Sequence, residues 1–313
     1  QPTPVQDHGA AAGGPGFLAM SHPALQEALV RHAAARGAEL LRGATVESVV
    51  PGHPVRAQVV VGEGRARPVT ARLLVGAEGR SGVVAQSIGA EARRDPRFAM
   101  TVGLELTGDF DTGAAVNFFL EPESGWSAIV ARTGPERCRA YLVHHADLLP
   151  RGLAGEGDRA EVQALLGRAG VPAAWLAGES PRTPLASFDG AWRWVQRPFG
   201  PGVVLVGDAA GASDPAWGNG LSRTLRDVRL LRDHLLAEAD WDLAVAAYAE
   251  EHLAFCRRLR VIEQAQAALF LTPGPEAAPR RRHALGLIAQ DPGRQPDLLR
   301  LGPDAPFGET HRR

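Results

Sequence analysis

Apolar residues along this chain fall into three patterns: short continuous runs, alternating runs, and a helical period. Val203, Val204, Leu205 and Val206 form a continuous run, the signature of a short strand buried on both faces in a parallel sheet covered by helices. Gly207 and Asp208 end that run, and a loop punctuated by Gly and Pro follows. Leu221, Leu225, Val228, Leu231 and Leu235 then recur at spacings that keep one helical face apolar. Leu25, Ala28, Leu29 and Ala33 predict an amphipathic helix over 23–36, with Pro23 in its first turn and Gly37 at its C-terminal cap. Strand-like stretches lie at 45–50, 57–61 and 69–75, with the Gly62-Glu63-Gly64 turn between the last two. Within the third, Leu73-Leu74-Val75 reads as a buried strand running into another Gly-bearing turn.

From about 91 to 187 the character changes. Apolar or alternating runs at 99–106, 115–120, 127–131 and 139–144, joined by turns, predict an antiparallel sheet. One helix interrupts it, capped by Asp158, carrying Val162, Leu165 and Leu166, and ended by Gly170 and Pro172. After Trp241 the pattern is helical to about 270, residues 272–275 break it, and a short apolar stretch follows at 285–289. The first sixteen residues, rich in Gly, Pro and Ala, read as loop.

Composition narrows the class. At 313 residues, 45% hydrophobic and 22% charged, the chain has enough apolar material for a large core or two domains. A formal charge of -1 gives no reason to expect nucleic acid as a partner. Neither a transmembrane segment nor a signal peptide is evident, which makes a cytoplasmic location the default expectation. All 34 basic residues are Arg, so these residues provide no Lys for Schiff-base chemistry. Cys138 and Cys256 stand apart without metal-ligand spacing and read as buried small hydrophobes, and no metal site is expected. His144-His145 reads as structural or surface, and Arg280-Arg281-Arg282 as a solvated face or helix-end decoration. Trp192 and Trp194, two apart on a strand, point to one face in a packing role.

The chemistry-bearing stretch is Gly207-Asp208-Ala209-Ala210-Gly211, followed by Pro215 and Gly218-Asn219-Gly220-Leu221 at a helix start. Small residues there let a ligand approach the backbone, and first-turn amides at the positive dipole end favour negative charge. This stretch resembles the second FAD-binding motif of the flavoprotein monooxygenases related to p-hydroxybenzoate hydroxylase. The resemblance implies that Asp208 accepts a hydrogen bond from a ribityl hydroxyl. It also implies that Pro215 lies beside the reactive edge of the isoalloxazine, and that Gly218 to Leu221 face its pyrimidine end. The resemblance places Gly207 and Ala209 in the same expected FAD-binding set. Gly211 stands where many aromatic hydroxylases have His, a form more like geranylgeranyl reductases. Gly76-Ala77-Glu78-Gly79 is similar to the family's other turn, which approaches the FAD pyrophosphate and is linked with nicotinamide cofactors, so Gly76, Glu78 and Gly79 join the expected site. Glu78 replaces the usual Asp, and Ala85 and Gln86 stand where an Arg is usual, leaving NAD(P)H as a possible second cofactor rather than an implied one.

The resulting fold expectation is α/β: a partial Rossmann-type FAD-binding domain with an inserted antiparallel-sheet substrate domain and C-terminal helices. The expected plan is loop at 1–16, FAD-binding domain at 17–90 and 191–240, substrate domain at 91–190, and a helical region at 241–313. No Gly-x-Gly-x-x-Gly occurs in the chain, so the N-terminal dinucleotide unit of the resembled family is expected to be missing; His22 stands where that family usually has Arg. The resemblance implies an FAD-dependent monooxygenase acting on a small hydrophobic organic substrate with molecular oxygen through a flavin peroxide. No catalytic residue is singled out, because the flavin supplies the difficult chemistry. The alternatives are a flavin reductase of the geranylgeranyl-reductase type, a catalytically silent flavoprotein fragment and, last, a flavin-dependent halogenase.

Overall fold

The computed structural model describes residues 19–95, 99–113, 115–121, 124–177, 185–291 and 294. In chain order the elements are α1 (His22–Ala35), β1 (Ala44–Val50), β2 (Val55–Val61), β3 (Arg67–Ala71), β4 (Leu74–Gly76), α2 (Val83–Ser87), β5 (Ala92–Arg94) and β6 (Ala99–Thr107). There follow β7 (Val116–Glu121), β8 (Trp126–Gly134), β9 (Arg137–His145), α3 (Arg159–Arg168), α4 (Ala173–Leu176), β10 (Ser187–Asp189), β11 (Arg193–Val195) and β12 (Phe199–Gly200). The last are β13 (Val203–Leu205), β14 (Gly211–Ala212), α5 (Gly220–Ala237), α6 (Trp241–Phe270) and α7 (Ala277–Gln290). The described residues form two compact units, one drawn from 30–96 and 191–261, the other from 1–29, 97–190 and 262–313. The mixed α/β class expected from the sequence is what the fold shows.

The first unit is built around β13, which pairs with β4 in parallel and with β12 in antiparallel. Its alternating side chains enter two cores, as a strand covered on both faces must. Val203 and Leu205 pack with Val49, Val55, Ala57 and Val84, which come from β1, β2 and α2. Val204 and Val206 pack with Leu231 of α5 and with Val245, Tyr248 and Ala249 of α6. β4 is less buried than its apolar run suggests: Val75 is 46% exposed, because among the described residues β4 is the edge of its sheet and pairs only with β13.

The second unit carries a five-stranded antiparallel sheet in the order β10-β6-β9-β8-β7, in the region where the sequence predicts one. One face, including Val102, Leu104, Leu106, Val130, Ala140 and Leu142, packs with Val162, Leu165 and Leu166 of α3. Asp158 stands at the N-cap of α3 but makes no cap bond. Its carboxylate instead accepts from the Ala154 N–H and from Arg151, because the loop before α3 folds back and reaches it first. Arg281 is also buried, not solvated, and donates to the Leu269 and Thr272 carbonyls at the end of α6, where orphan carbonyls need donors. Helix α1 buries none of its residues, so its expected apolar face has no covering layer among the described residues.

Helix α5 corrects the sequence reading most. Of its predicted apolar face, Leu221, Leu225 and Val228 are turned outward and about half exposed, whereas Leu231 is buried, and the inward row it completes is Arg223, Asp227 and Leu231 itself. These three are four residues apart and so share a face as well as the leucines do. The polar row can face inward because Asp208 and the Gly207 carbonyl engage Arg223, while the Gly207 N–H and His252 engage Asp227. Leu231 completes that face as an apolar contact, and Leu235 is only partly buried. No helix among the described residues is long and apolar enough to cross a membrane.

Candidate functional site

The two Gly-bearing turns leave the carboxyl ends of neighbouring parallel strands. Leu205 of β13 lies opposite Gly76 of β4, and the Val206 N–H donates to the Gly76 carbonyl at 3.0 Å. The turn after β4 and the turn after β13 are therefore neighbours, the place where open α/β sheets receive ligands. Gly76 permits this closeness: a Cβ there would lie 2.7 Å from Leu205 Cδ2 and 2.8 Å from Val84 Cγ1.

Beyond Gly76 the first turn does two different things. Gly79 has φ +77°, and a Cβ on it would meet nothing within 4 Å, so it faces open space. Glu78 bends the other way. Its Oε2 accepts the Val84 N–H at 2.9 Å and lies over Gly82, where a Cβ would be 2.1 Å from it, so this carboxylate serves the start of α2.

The second turn is held from behind. Gly207 has φ +59°, and a Cβ on it would press on Thr224 Oγ1 at 2.9 Å, so only glycine suits both the left-handed backbone and the contact with α5. The Gly207 N–H donates to Asp227 Oδ2 at 3.2 Å, and its carbonyl accepts from Arg223 Nη1 at 3.2 Å. Asp208 projects outward with a side chain 45% exposed. Its Oδ1 accepts from Arg223 Nη2 at 2.8 Å, and its Oδ2 has no partner among the described residues. Ala209 is buried in the core, and the Ala210 N–H closes the turn on the Gly207 carbonyl at 3.0 Å.

Gly211 has a local explanation. It pairs with Trp194 across β14 and β11, where a Cβ would sit 3.2 Å from the Arg193 carbonyl oxygen. A larger residue would crowd that crossing. Asp214 then caps the turn of Pro215, Ala216 and Trp217, accepting the Ala216 N–H at 2.9 Å, and Gly218 ends it at φ +68° with open space beside it. Asn219 precedes α5 as its N-cap residue without a side-chain cap bond, so the first-turn amides of Gly220 and Leu221 remain uncapped by it. Trp217 Nε1 is a buried donor without a partner among the described residues.

Behind this turn lies a set of charges that the sequence reading missed. Arg223, Asp227 and His252 are fully buried, with His252 Nδ1 2.9 Å from Asp227 Oδ1. Cys256 Sγ lies 3.6 Å from His252 Nε2. Burial opposes a charge on His252, but the Cys256 sulfur and the hydrogen bond and charge of Asp227 outweigh it and raise its pKa to about 9. Tyr248 donates to the Leu205 carbonyl at 3.0 Å, and burial pushes its phenol well above the usual range. The available signal was spacing: Arg223 and Asp227, like His252 and Cys256, are four apart. On a helix such pairs ordinarily mark a solvated ion pair or a simple core step, which is why they passed unnoticed.

The family profile described as an FAD binding domain matches residues 4–259. The chain belongs to this family. Its cofactor is FAD, as the motif residues implied. Among curated proteins, this FAD-binding chain is 32% identical over 174 residues to the ubiquinone hydroxylase UbiL of Rhodospirillum rubrum, covering 54% of this chain and 38% of that protein. Among solved structures, the OxyS anhydrotetracycline hydroxylase from Streptomyces rimosus superposes with a TM-score of 0.69 at 20% identity, over 94% of this chain and 58% of that one. CabE, an aromatic hydroxylase from angucycline biosynthesis, gives a TM-score of 0.66 at 27% identity, over 87% and 55%. The chain thus spans between about two-fifths and three-fifths of the length of these relatives.

Proposed function

We propose that this chain forms the ribityl- and flavin-facing part of an FAD-dependent monooxygenase that hydroxylates a small hydrophobic, aromatic organic substrate. The observation that carries the reading is Asp208: a half-exposed carboxylate at the end of a parallel strand, with one oxygen engaged by Arg223 and the other unengaged among the described residues. Such an oxygen is suited to a ribityl hydroxyl, and a charge-assisted bond of this kind is stronger than a neutral one. The fit is supported by the open space beside Gly79 and Gly218 and by the partnerless Trp217 Nε1 donor.

When bound, the flavin supplies the redox chemistry with oxygen that no side chain provides. The work of the chain's own residues is positioning. Asp208 would hold the ribityl chain, and Pro215 with Gly218 would border the ring without placing an acid beside it. The Gly220 and Leu221 amides at the positive end of α5 would favour negative charge at the ring edge. We assign residues 91–190, with their antiparallel sheet, to substrate contact. The aromatic substrate class is supported by the hydroxylase names of UbiL and CabE. The reductase alternative loses its sequence argument, since Gly211 answers to the crowding beside Arg193.

The test supplies the FAD-loaded protein with a reductant, isotopically heavy oxygen gas and a panel of quinols and polycyclic phenols. The expected result is a product carrying one heavy oxygen atom. Reduction of a carbon–carbon double bond without oxygen incorporation would overturn the reading in favour of a reductase.

A further inference from the structure

We propose that Arg223 is a positioning residue of the FAD site, fixing one oxygen of Asp208 so that the other is presented to the ribityl chain, with the buried Asp227–His252 pair as its support. The inference rests on the reading that Asp208 receives that chain. A side chain as half-exposed as Asp208 would ordinarily sample several rotamers and lose that freedom on binding. Here its Oδ1 is tied to a guanidinium that is itself fully buried. Arg supplies a planar fork with fixed directions, so two of its nitrogens define where Asp208 and the Gly207 carbonyl must lie. A lone ammonium could still pair with Asp208 but would not fix both directions at once.

Burying a guanidinium is costly unless its charge is met. The geometry meets it in series. Arg223 Nη1 is 3.6 Å from Asp227 Oδ2, a loose contact, while Asp227 is held more closely by the Gly207 N–H at 3.2 Å and by His252 Nδ1 at 2.9 Å. With His252 protonated, Asp208, Arg223, Asp227 and His252 alternate in sign and sum to zero. Asp227 is therefore balanced by His252, which leaves the guanidinium for Asp208. Gly207 is gripped at both ends of its residue, N–H to Asp227 and carbonyl to Arg223, so the network also sets the turn from which Asp208 projects. Arg223 Nε is left without a partner among the described residues, which a purely structural arginine in a settled core would not favour.

The test measures FAD dissociation constants by calorimetry for the unaltered protein, Asp208→Ala, Arg223→Gln, Arg223→Lys and the Asp208→Ala/Arg223→Gln double variant. Each of Asp208→Ala and Arg223→Gln should weaken FAD about tenfold or more. Arg223→Lys should recover part of the loss, and the double variant should be no weaker than the weaker single, because both act through one contact. Arg223→Gln within twofold of the unaltered protein, or losses that multiply, would overturn the proposal. Asp208→Ala within twofold would instead overturn the parent reading. Should Arg223→Gln not melt cooperatively, the guanidinium nitrogen resonances of the unaltered protein decide. Slowly rotating Arg223 Nη groups that shift on FAD addition are expected, and freely rotating groups indifferent to FAD would contradict the assignment.

Discussion

At the scale of single residues, His252 makes a distinctive prediction about pH. Its folded pKa is raised to about 9, above an unfolded value near 6.5, so its contribution is fully present below pH ~6.5 and is lost as pH rises through about 9. Stability should therefore fall over that window by on the order of 3 kcal/mol, and His252→Gln should flatten the slope there. Urea melts of both proteins at a series of pH values check this, and equal slopes would contradict it. Gly207→Ala is expected to cost about 2 kcal/mol or more, since it forces an alanine into a left-handed backbone and against Thr224. A thermal melt unchanged by that substitution would contradict the account of the turn.

At the scale of elements, α5 separates what was legible in the sequence from what was not. The strand–turn–helix order around Asp208 was readable because a short apolar run, a Gly-Asp end and a Gly-bearing helix start each have one strong local meaning. The antiparallel sheet and α3 were readable for the same reason. Which side of α5 turns inward was not, because Leu231 lies both on the leucine face with Leu221, Leu225 and Val228 and on an equally regular row with Arg223 and Asp227. The choice depends on partners distant in sequence: Gly207, 16 residues before Arg223 and 20 before Asp227, and His252 of α6, 25 residues after Asp227. Glu78 teaches the same lesson: it occupies a motif position, yet its carboxylate serves Val84. Leu231→Ala should therefore cost about 2–4 kcal/mol, whereas Leu225→Gln should stay within about 0.5 kcal/mol in this chain. Chemical denaturation of the two variants reads the difference directly, and the reverse order would contradict the orientation of α5.

At the scale of the whole molecule, the chain matches an FAD binding domain and carries two Gly-bearing turns at the ends of the paired parallel strands β4 and β13, together with an antiparallel sheet, but it has no Gly-x-Gly-x-x-Gly to hold a pyrophosphate. The 313 residues should therefore hold FAD weakly, losing it on gel filtration while still binding added FAD; a stoichiometrically yellow protein after purification would contradict this. The central claim is that Asp208, not Glu78, is the carboxylate that receives the cofactor. Calorimetric titration of FAD into the unaltered chain, Asp208→Ala and Glu78→Ala tests it most directly. The account predicts a loss of roughly 1.5–3 kcal/mol for Asp208→Ala and a distinctly smaller one for Glu78→Ala, whose carboxylate caps α2. Equal losses, or no loss for Asp208→Ala, would contradict it.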